Sequence, residues 1–145
     1  MNIPRMSMIT LGVQDLKLSI AFYRQVFGIA PNPAFEEHIA FFQLPAVWLT
    51  LYPLDKLAED IGPQVRPERG GFSGVTLAHN ARSRDDVLAV FAQAEAAGAT
   101  IVKPPADTFW GGFSGYFTDL DGHHWEIAWG PMFAFDDHGD LHFKS

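Results

Sequence analysis

A strand followed by an amphipathic helix occurs twice in this chain, and this repeat limits the possible folds more than any other feature. In the first copy, "MITLGV" (8–13) alternates as a strand, and the helix after it starts at Asp15 and ends at Gly28. In the second copy, "GVTLAH" (74–79) precedes a helix that Ser83 can cap and that ends at Gly98. The shared segments "ITL" and "VTL" lie 66 residues apart. A repeat of this length with one supersecondary unit per copy predicts two similar modules that pack together.

Short strands rich in aromatic and β-branched residues complete each copy of the repeat. The first copy has candidate strands at 38–44 and 47–52, with a further strand possible near 29–36, and the second copy has them at 100–102, 114–119 and 124–129. The sequence therefore predicts an α+β fold with one helix on one face of each module's sheet.

Strand alternation also predicts what the uncovered face of each sheet carries. Ile9 and Leu11 in one module, and Val75 and Leu77 in the other, need the cover of a helix. The opposite faces are then free to face one another across a cavity. These faces bear Thr10, Thr50, Thr76 and Glu126.

The length of 145 residues fits one domain. A polar stretch broken by Gly62, Pro63 and Pro67 separates the two copies of the repeat. The predicted single domain, 1–145, consists of module one (about 5–54), a connector (about 55–71), module two (about 72–132) and a C-terminal tail (133–145).

Charge and composition exclude several classes of function. The 10 basic residues are scattered singly and are outnumbered by 17 acidic ones, so nucleic-acid binding is not expected. The most apolar stretch, residues 44–54, is too short and too rich in proline to span a membrane. The chain has no cysteine, which excludes disulfides and cysteine-based metal centres. These features predict a cytoplasmic protein without nucleic-acid or membrane partners.

Three segments of the chain follow the motifs of one protein family. "VQDLKLSIAFYRQVFG" (13–28) is similar to the signature V-x-D-L-x-x-S-x-x-F-Y-x-x-x-L-G, with Phe27 in place of the leucine. "DLDGHHWEIAW" (119–129) resembles a closing D-P-D-G-x-x-x-E-I/L strand, and "DTFWGGFSGYF" (107–117) resembles one glyoxalase-like subgroup. The chain thus resembles the vicinal oxygen chelate superfamily of glyoxalase I, bleomycin-resistance proteins and extradiol dioxygenases. The resemblance implies two paired β-α-β-β-β modules that form a curved mixed sheet around a cavity, in a homodimer.

In the members of this family that use a metal, the first and last strands of each module supply one ligand each. The resemblance places those positions at Met8, Thr50, Gly74 and Glu126, with Leu49 in place of Thr50 if the register shifts by one. A divalent first-row cation needs several donors in a defined geometry. Because Glu126 is the one competent ligand of the four, the sequence predicts no complete metal site and no cofactor. A divalent metal is the disfavoured alternative.

Histidines offer two other groups of metal donors. His124 is two residues from Glu126 and can share its face of the strand, which makes this the best donor pair in the chain. The alternative for His124 is an exposed residue of the "DGHH" turn. The tail segment "FDDHGDLHF" (135–143) also collects acidic residues and histidines, and its alternative is an acidic turn around Gly139.

Aromatic residues are the candidates for a wall that stacks on a flat or apolar ligand. Trp110, Phe113 and Tyr116 surround a pair of glycines in the second module, and Trp48 and Tyr52 would line the cavity from the first. The alternative is that these rings fill the core or a dimer interface. The full predicted set of ligand-binding residues is Thr10, Trp48, Thr50, Tyr52, Thr76, Trp110, Phe113, Tyr116 and Glu126.

Three functions follow from these features. The leading prediction is a small-molecule-binding protein of the glyoxalase/bleomycin-resistance type that works without a metal and uses Glu126 as its polar anchor. The second is a lyase, isomerase or dioxygenase of the same superfamily, with an atypical metal shell or with Glu126 as the catalytic base. The third is a structural or partner-binding module whose cavity is filled by its own side chains.

Overall fold

Strands and helices alternate along the part of the chain that this computed structural model describes, residues 5–68 and 70–145. In chain order the elements are β1 (Met8–Val13), α1 (Leu16–Phe27), β2 (Ala40–Phe42), β3 (Trp48–Pro53), α2 (Leu54–Ile61), β4 (Thr76–Asn80), α3 (Arg84–Ala96), β5 (Thr100–Asp107), β6 (Phe113–Thr118), β7 (His124–Trp129), β8 (Phe133–Phe135) and β9 (Leu141–Phe143). The predicted α+β class is confirmed. Among the described residues, no helix has the length and apolar character needed to cross a membrane.

Two separate sheets carry the two copies of the repeat. The first sheet has the strand order β1-β3-β2, and the second has the order β4-β7-β6-β5. In each sheet the first strand of the module pairs in parallel with its last strand. β8 and β9 form a short hairpin in the C-terminal tail. Within the described chain, β1 and β4 are therefore edge strands.

The first module differs from the predicted β-α-β-β-β pattern. The strand that the sequence suggested near 29–36 is not formed, and residues 33–38 make turns instead. Pro31 and Pro33 explain this difference, because they lack the N–H groups that a strand ladder needs. The described residues form a β-α-β-β unit in the first module and a full β-α-β-β-β unit in the second.

The connector between the modules contains α2, a helix that the sequence analysis did not predict. α2 packs against β1 and β3 at the end of the first sheet. Gly12 permits this close approach, because a Cβ atom at that position would lie 2.5 Å from Cδ1 of Leu54. The connector is thus part of the first module's packing rather than a simple linker.

Side-chain caps at α1 and α3 fix the correspondence between the modules. Asp15 and Ser83 each accept a 3.0 Å hydrogen bond from a backbone N–H in the first turn of the helix that follows. These caps lie 68 residues apart, so Met8 at the start of β1 corresponds to Thr76 at the start of β4. The prediction that Gly74 lies on the first strand of the second module is therefore wrong. Gly74 precedes β4 and has a φ of +84°.

One apolar core lies between the two sheets. The buried ring of Tyr23 in α1 contacts Phe42 of the first sheet and Trp125 of the second, with centroid distances of 6.2 and 5.9 Å. From α3, Phe91 packs edge-on against Phe117 of the second sheet. Because one side of each sheet meets this shared core, the opposite sides point away from each other. The expectation that these opposite faces look at one another across a cavity is not met within a single chain.

Candidate functional site

The sheet faces that point away from the core hold most of the predicted site residues. Side chains alternate along each strand, and directly paired residues of neighbouring strands share a face. We call these two surfaces the first and the second open face. The first open face carries Met8, Thr10, Gly12, Phe41, Trp48, Thr50 and Tyr52, and the second carries Thr76, Ala78, Tyr116, Thr118, His124 and Glu126.

Thr50 and Glu126 occupy matched positions on the two open faces. Thr50 pairs with Thr10, the third residue of β1, and Glu126 pairs with Ala78, the third residue of β4. This register agrees with the alignment of Thr50 on Glu126 made from the sequence. Leu49, the alternative, is 5% exposed and belongs to the core.

Glu126 lies beside Tyr116 on the second open face. The two residues are direct partners on β7 and β6, and both are half-buried. Burial, the negative charge of Glu126 and a hydrogen bond to its side chain raise the pKa of Tyr116 above the usual value of 10.0. Tyr116 is the protonated partner of this pair at neutral pH. Glu126 forms no ion pair with a basic side chain of the described residues.

His124 shares the second open face with Glu126, as the sequence analysis proposed. It pairs with Thr76 of β4, two residues along β7 from Glu126. Its ring packs edge-on against the exposed ring of Phe72 at a centroid distance of 5.3 Å. This contact makes His124 and Phe72 a border of the second open face.

The residues at the family's metal positions do not fit a divalent cation. With Thr76 in place of Gly74, the four positions hold Met8, Thr50, Thr76 and Glu126. A thioether and two hydroxyl groups are weak ligands for such an ion. Oγ1 of Thr50 already lies 3.6 Å from Sδ of Met8. Throughout the described ranges, no three or more His, Asp or Glu side chains are grouped so that they could hold a metal ion.

Three aromatic rings in contact form one wall of the first open face. Phe41 packs edge-on against Phe35 at 5.7 Å and against Trp48 at 6.0 Å. Phe35 is 52% exposed, so the end of this series is open to solvent. We call Phe35, Phe41 and Trp48 the aromatic row. Of these three, Trp48 alone belongs to the set predicted from the sequence, although the alternation of "AFF" with the paired strand could have placed Phe41 on the face of Thr50.

Two of the predicted lining residues lie elsewhere. Phe113 pairs with Trp129 and lies under the guanidinium of Arg84, 5.1 Å from its ring centroid, so its ring faces α3. The Trp110 ring lies against glycine backbone, and a Cβ atom at Gly130 would be 2.9 Å from it. Both residues are part of the packing of the second module, which was the alternative interpretation of the aromatic set. Tyr116 is the member of this group that lies on an open face.

A cleft of about 680 Å³ lies between the two modules, and it is lined by residues of β1, β3, β4 and β7 and of helices α1 and α3. Partial burial lowers the pKa of His79 in this cleft below 6.5, although the charge of Asp86 acts in the opposite direction. The ring of His79 packs edge-on against Phe27 at 5.9 Å. The cleft is also lined by Val26, Leu49 and Trp125, and by two of the predicted ligand-binding residues, Trp48 and Thr76.

Contacts between the modules fix the start of β7 and thereby the position of Glu126. Asp121, in the turn before β7, accepts hydrogen bonds from the backbone N–H of Gln14 at 2.8 Å and from the hydroxyl of Ser19 at 3.3 Å. The ring of His123 lies 2.9 Å from the carbonyl oxygen of Gly12. The turn "DLDGHH" is therefore anchored on the first module.

The acidic tail cluster forms a local turn. Asp136 accepts hydrogen bonds of 2.9 Å from the backbone N–H groups of His138 and Asp140, and its other oxygen lies 3.0 Å from the ring of His142. The hydrogen bond from His142, followed by those from the backbone, lowers the pKa of Asp136 to about 2. These contacts favour the acidic-turn interpretation of the tail.

Comparison with known proteins identifies the fold. A family model described as the Glyoxalase/Bleomycin resistance protein/Dioxygenase superfamily matches residues 5–127. A glyoxalase-related enzyme from Fulvimarina pelagi is 34% identical, with a TM-score of 0.85 over 99% of this chain and 100% of that one. A family enzyme from Burkholderia phytofirmans PsJN has a similar fold at 18% identity, with a TM-score of 0.76 over 87% of this chain and 98% of that one.

No curated protein matches the chain at a significant level. The family model nevertheless spans most of both modules, from before β1 into β7. The chain therefore belongs to the Glyoxalase/Bleomycin resistance protein/Dioxygenase superfamily.

Proposed function

We propose that this protein binds a small organic molecule in a cavity formed between the first open face of one copy and the second open face of another. One observation carries the proposal. Both open faces point away from the chain's own core, yet they hold Thr50 and Glu126 at matched positions. A cavity between these two faces needs a second copy to bring them together.

The edge strands support this assembly. β1 and β4 end their sheets, and exposed edges are sites where another strand can be added. In a twofold dimer, β1 of one copy beside β4 of the other would join the two sheets into one curved surface. Such a surface would have the open faces on the same side.

Small side chains on the edge strands would leave room for a ligand. Thr10 of one copy and Thr76 and Ala78 of the other would form the floor of the cavity, which Leu54 of α2 would bound at Gly12. Strands β3 and β7, which carry Thr50 and Glu126, would be three strand spacings apart, or about 14 Å along the sheet. Trp48 and Tyr52 would stand on one side of this floor, and Tyr116 on the other.

In this proposal Glu126 is a polar anchor and no resident metal takes part. The support is the donor set, since Met8, Thr50 and Thr76 are poor partners for a cation that Glu126 would hold. Trp48, Tyr116 and Glu126 are half-buried in the single chain, which leaves part of each side chain available to a ligand, whereas Thr50 is buried and Gly12 is covered by Leu54. A cytoplasmic location remains a prediction from the cysteine-free sequence.

Ligand-observed NMR on the full chain tests the proposal. The panel contains small aromatic cations, anions and neutral molecules, each added alone. We expect at least one member to bind, and we expect binding to weaken by about tenfold or more in both Trp48→Ala and Glu126→Gln, as for hydrogen-bonding and stacking groups in a buried site. Phe109→Ala and Glu95→Gln, at exposed positions, are the controls and should leave binding unchanged. Binding that survives both site variants would overturn the proposal, as would the absence of binding by every panel member.

Proton transfer is the second candidate function. The observation in its favour is the pairing of Glu126 with the protonated phenol of Tyr116, which supplies a base and an acid on neighbouring strands. Exchange of C–H protons of bound panel members in D₂O, followed by NMR, measures this activity directly. Exchange that is lost in Glu126→Gln while binding persists would favour the enzyme. Absence of exchange for every bound member would leave the binding function alone.

A further inference from the structure

We infer that the ligand of this cavity is an elongated organic cation, with an ammonium group at Glu126 and an apolar or aromatic body on the aromatic row. The inference rests on the proposed function, and it adds the chemical class of the ligand. It is carried by two side-chain groups, one on each open face.

The first group is a carboxylate without a cationic partner. Glu126 has the Tyr116 phenol as its hydrogen-bond donor, and in the described chain it has no Lys or Arg within ion-pair distance. Lys103 is in register with Tyr116 on β5, but its position is exposed and one strand further from Glu126. Glu126 is half-buried rather than buried, so its carboxylate is available to a ligand. A charge-assisted contact at a half-buried site is stronger than a neutral hydrogen bond.

Tyr116 adds a second favourable contact for a cation. Its ring stands beside Glu126 on the neighbouring strand, and aromatic faces attract ammonium groups within about 6 Å of the ring centroid. An anionic ligand would instead meet the charge of Glu126 in a chain whose net charge is −7. The second open face therefore selects for positive charge.

The second group is the aromatic row of the first open face. Phe35, Phe41 and Trp48 form a continuous apolar wall with no charged residue between them. Thr50, beneath this wall, is 1% exposed, and its hydroxyl already lies against Met8. The first face thus offers stacking and apolar contact but no ion-pairing group.

The distance between these groups sets the shape of the ligand. The floor between β3 of one copy and β7 of the other spans about 14 Å and carries small side chains. A compact cation such as tetramethylammonium would reach Glu126 but not the aromatic row. A ligand that uses both must have a body several bonds long beside its charged end.

Three probes of equal length test the inference by isothermal titration calorimetry on the full chain. They are (4-phenylbutyl)trimethylammonium, its neutral isostere with a tert-butyl group in place of the trimethylammonium, and 5-phenylpentanoate. We expect the cation to bind about tenfold more tightly than the neutral isostere, and we expect no measurable binding of the anion. Glu126→Gln should weaken the cation by about tenfold and leave the neutral isostere within about twofold. Trp48→Ala should weaken both to a similar extent, and Glu95→Gln should change neither.

The outcomes separate the ligand class from the proposed function. If the neutral or anionic probe binds as tightly as the cation and its binding is lost in Trp48→Ala, the cation inference is overturned while the binding cavity stands. Equal cation affinity in wild type and Glu126→Gln overturns the inference in the same way. If no probe binds, the inference is overturned, and the broader panel described above decides the proposed function separately.

Discussion

The phenol of Tyr23 donates a 2.5 Å hydrogen bond to Asp119, which ties α1 of the first module to the turn that precedes β7 of the second. Nε1 of Trp125 donates to the same phenol oxygen at 3.0 Å. Burial, and then the charge of Asp119, raise the pKa of Tyr23 well above its usual value of 10.0. This buried pair holds both modules on one core.

Tyr23→Phe tests this connection. The substitution keeps the ring but leaves one oxygen of buried Asp119 without its donor and Trp125 without its acceptor. We expect a loss of roughly 1–3 kcal/mol in the free energy of unfolding, measured by urea denaturation. Tyr52→Phe, at a half-buried position on the first open face, should stay within about 0.5 kcal/mol of wild type. Equal stability of the two variants would contradict the importance of the pair.

His79 should make stability depend on pH. Its pKa is lowered in the folded chain, so the unfolded chain binds more protons once the pH falls below 6.5. The free energy of unfolding should therefore decrease as the pH falls from the unfolded pKa toward the folded one, and then level off. His79→Gln should lose this part of the pH dependence in urea titrations between pH 8 and pH 5. His38→Gln, in the turn of residues 33–38, is the control; a slope in His79→Gln equal to that of the control would contradict the prediction.

Asp136 should titrate far below an ordinary aspartate. The hydrogen bond from His142 is the largest cause of its pKa of about 2. In ¹³C NMR of the side-chain carboxyl, we expect a midpoint close to that value, with a rise in the His142→Gln variant. Because the folded pKa is depressed, the tail contact stabilises the hairpin at pH values above 3.8 and loses this effect as the pH falls through about 2. A midpoint that His142→Gln does not move would contradict the assignment.

Metal content tests the donor set. Protein purified without chelators should contain less than one equivalent of divalent metal per chain, because Glu126 is the one strong donor at the four family positions. Inductively coupled plasma mass spectrometry measures this directly. A stoichiometric ion that disappears in Glu126→Gln would contradict the metal-free account, and retention of the same ion in that variant would place it elsewhere in the chain.

The sequence predicted those helix ends that are determined by neighbouring residues in the chain. Asp15 and Ser83 were identified as helix caps because short polar side chains satisfy the first-turn N–H groups, and the structure confirms both. Helix α2 was missed because its N-cap residue, Pro53, provides no side-chain capping hydrogen bond. Its apolar residues Leu54, Leu57 and Ile61 have helical spacing and could have revealed it.

Features that depend on distant contacts were harder to predict. Gly74 was placed on a strand because "VTL" copies "ITL", whereas the cap-to-cap distance shows that the structural repeat is two residues longer. The side of each sheet that Glu126 and Thr50 occupy followed from alternation. That these sides point apart in one chain follows from Tyr23, whose ring contacts both sheets. A contact of this kind leaves no periodic signal in the sequence.

Cysteine cross-linking between copies tests the central claim most directly, because the chain has no cysteine of its own. Thr10→Cys and Ala78→Cys place one thiol on each edge strand, on the open faces. The two variants are mixed, left to exchange subunits and treated with a short bis-maleimide. We then predict a product of twice the 16.1 kDa chain mass. The double variant should likewise link between chains. A mixture that gives no linked dimer, together with a double variant that links within one chain at 16.1 kDa, would contradict a cavity shared between two copies.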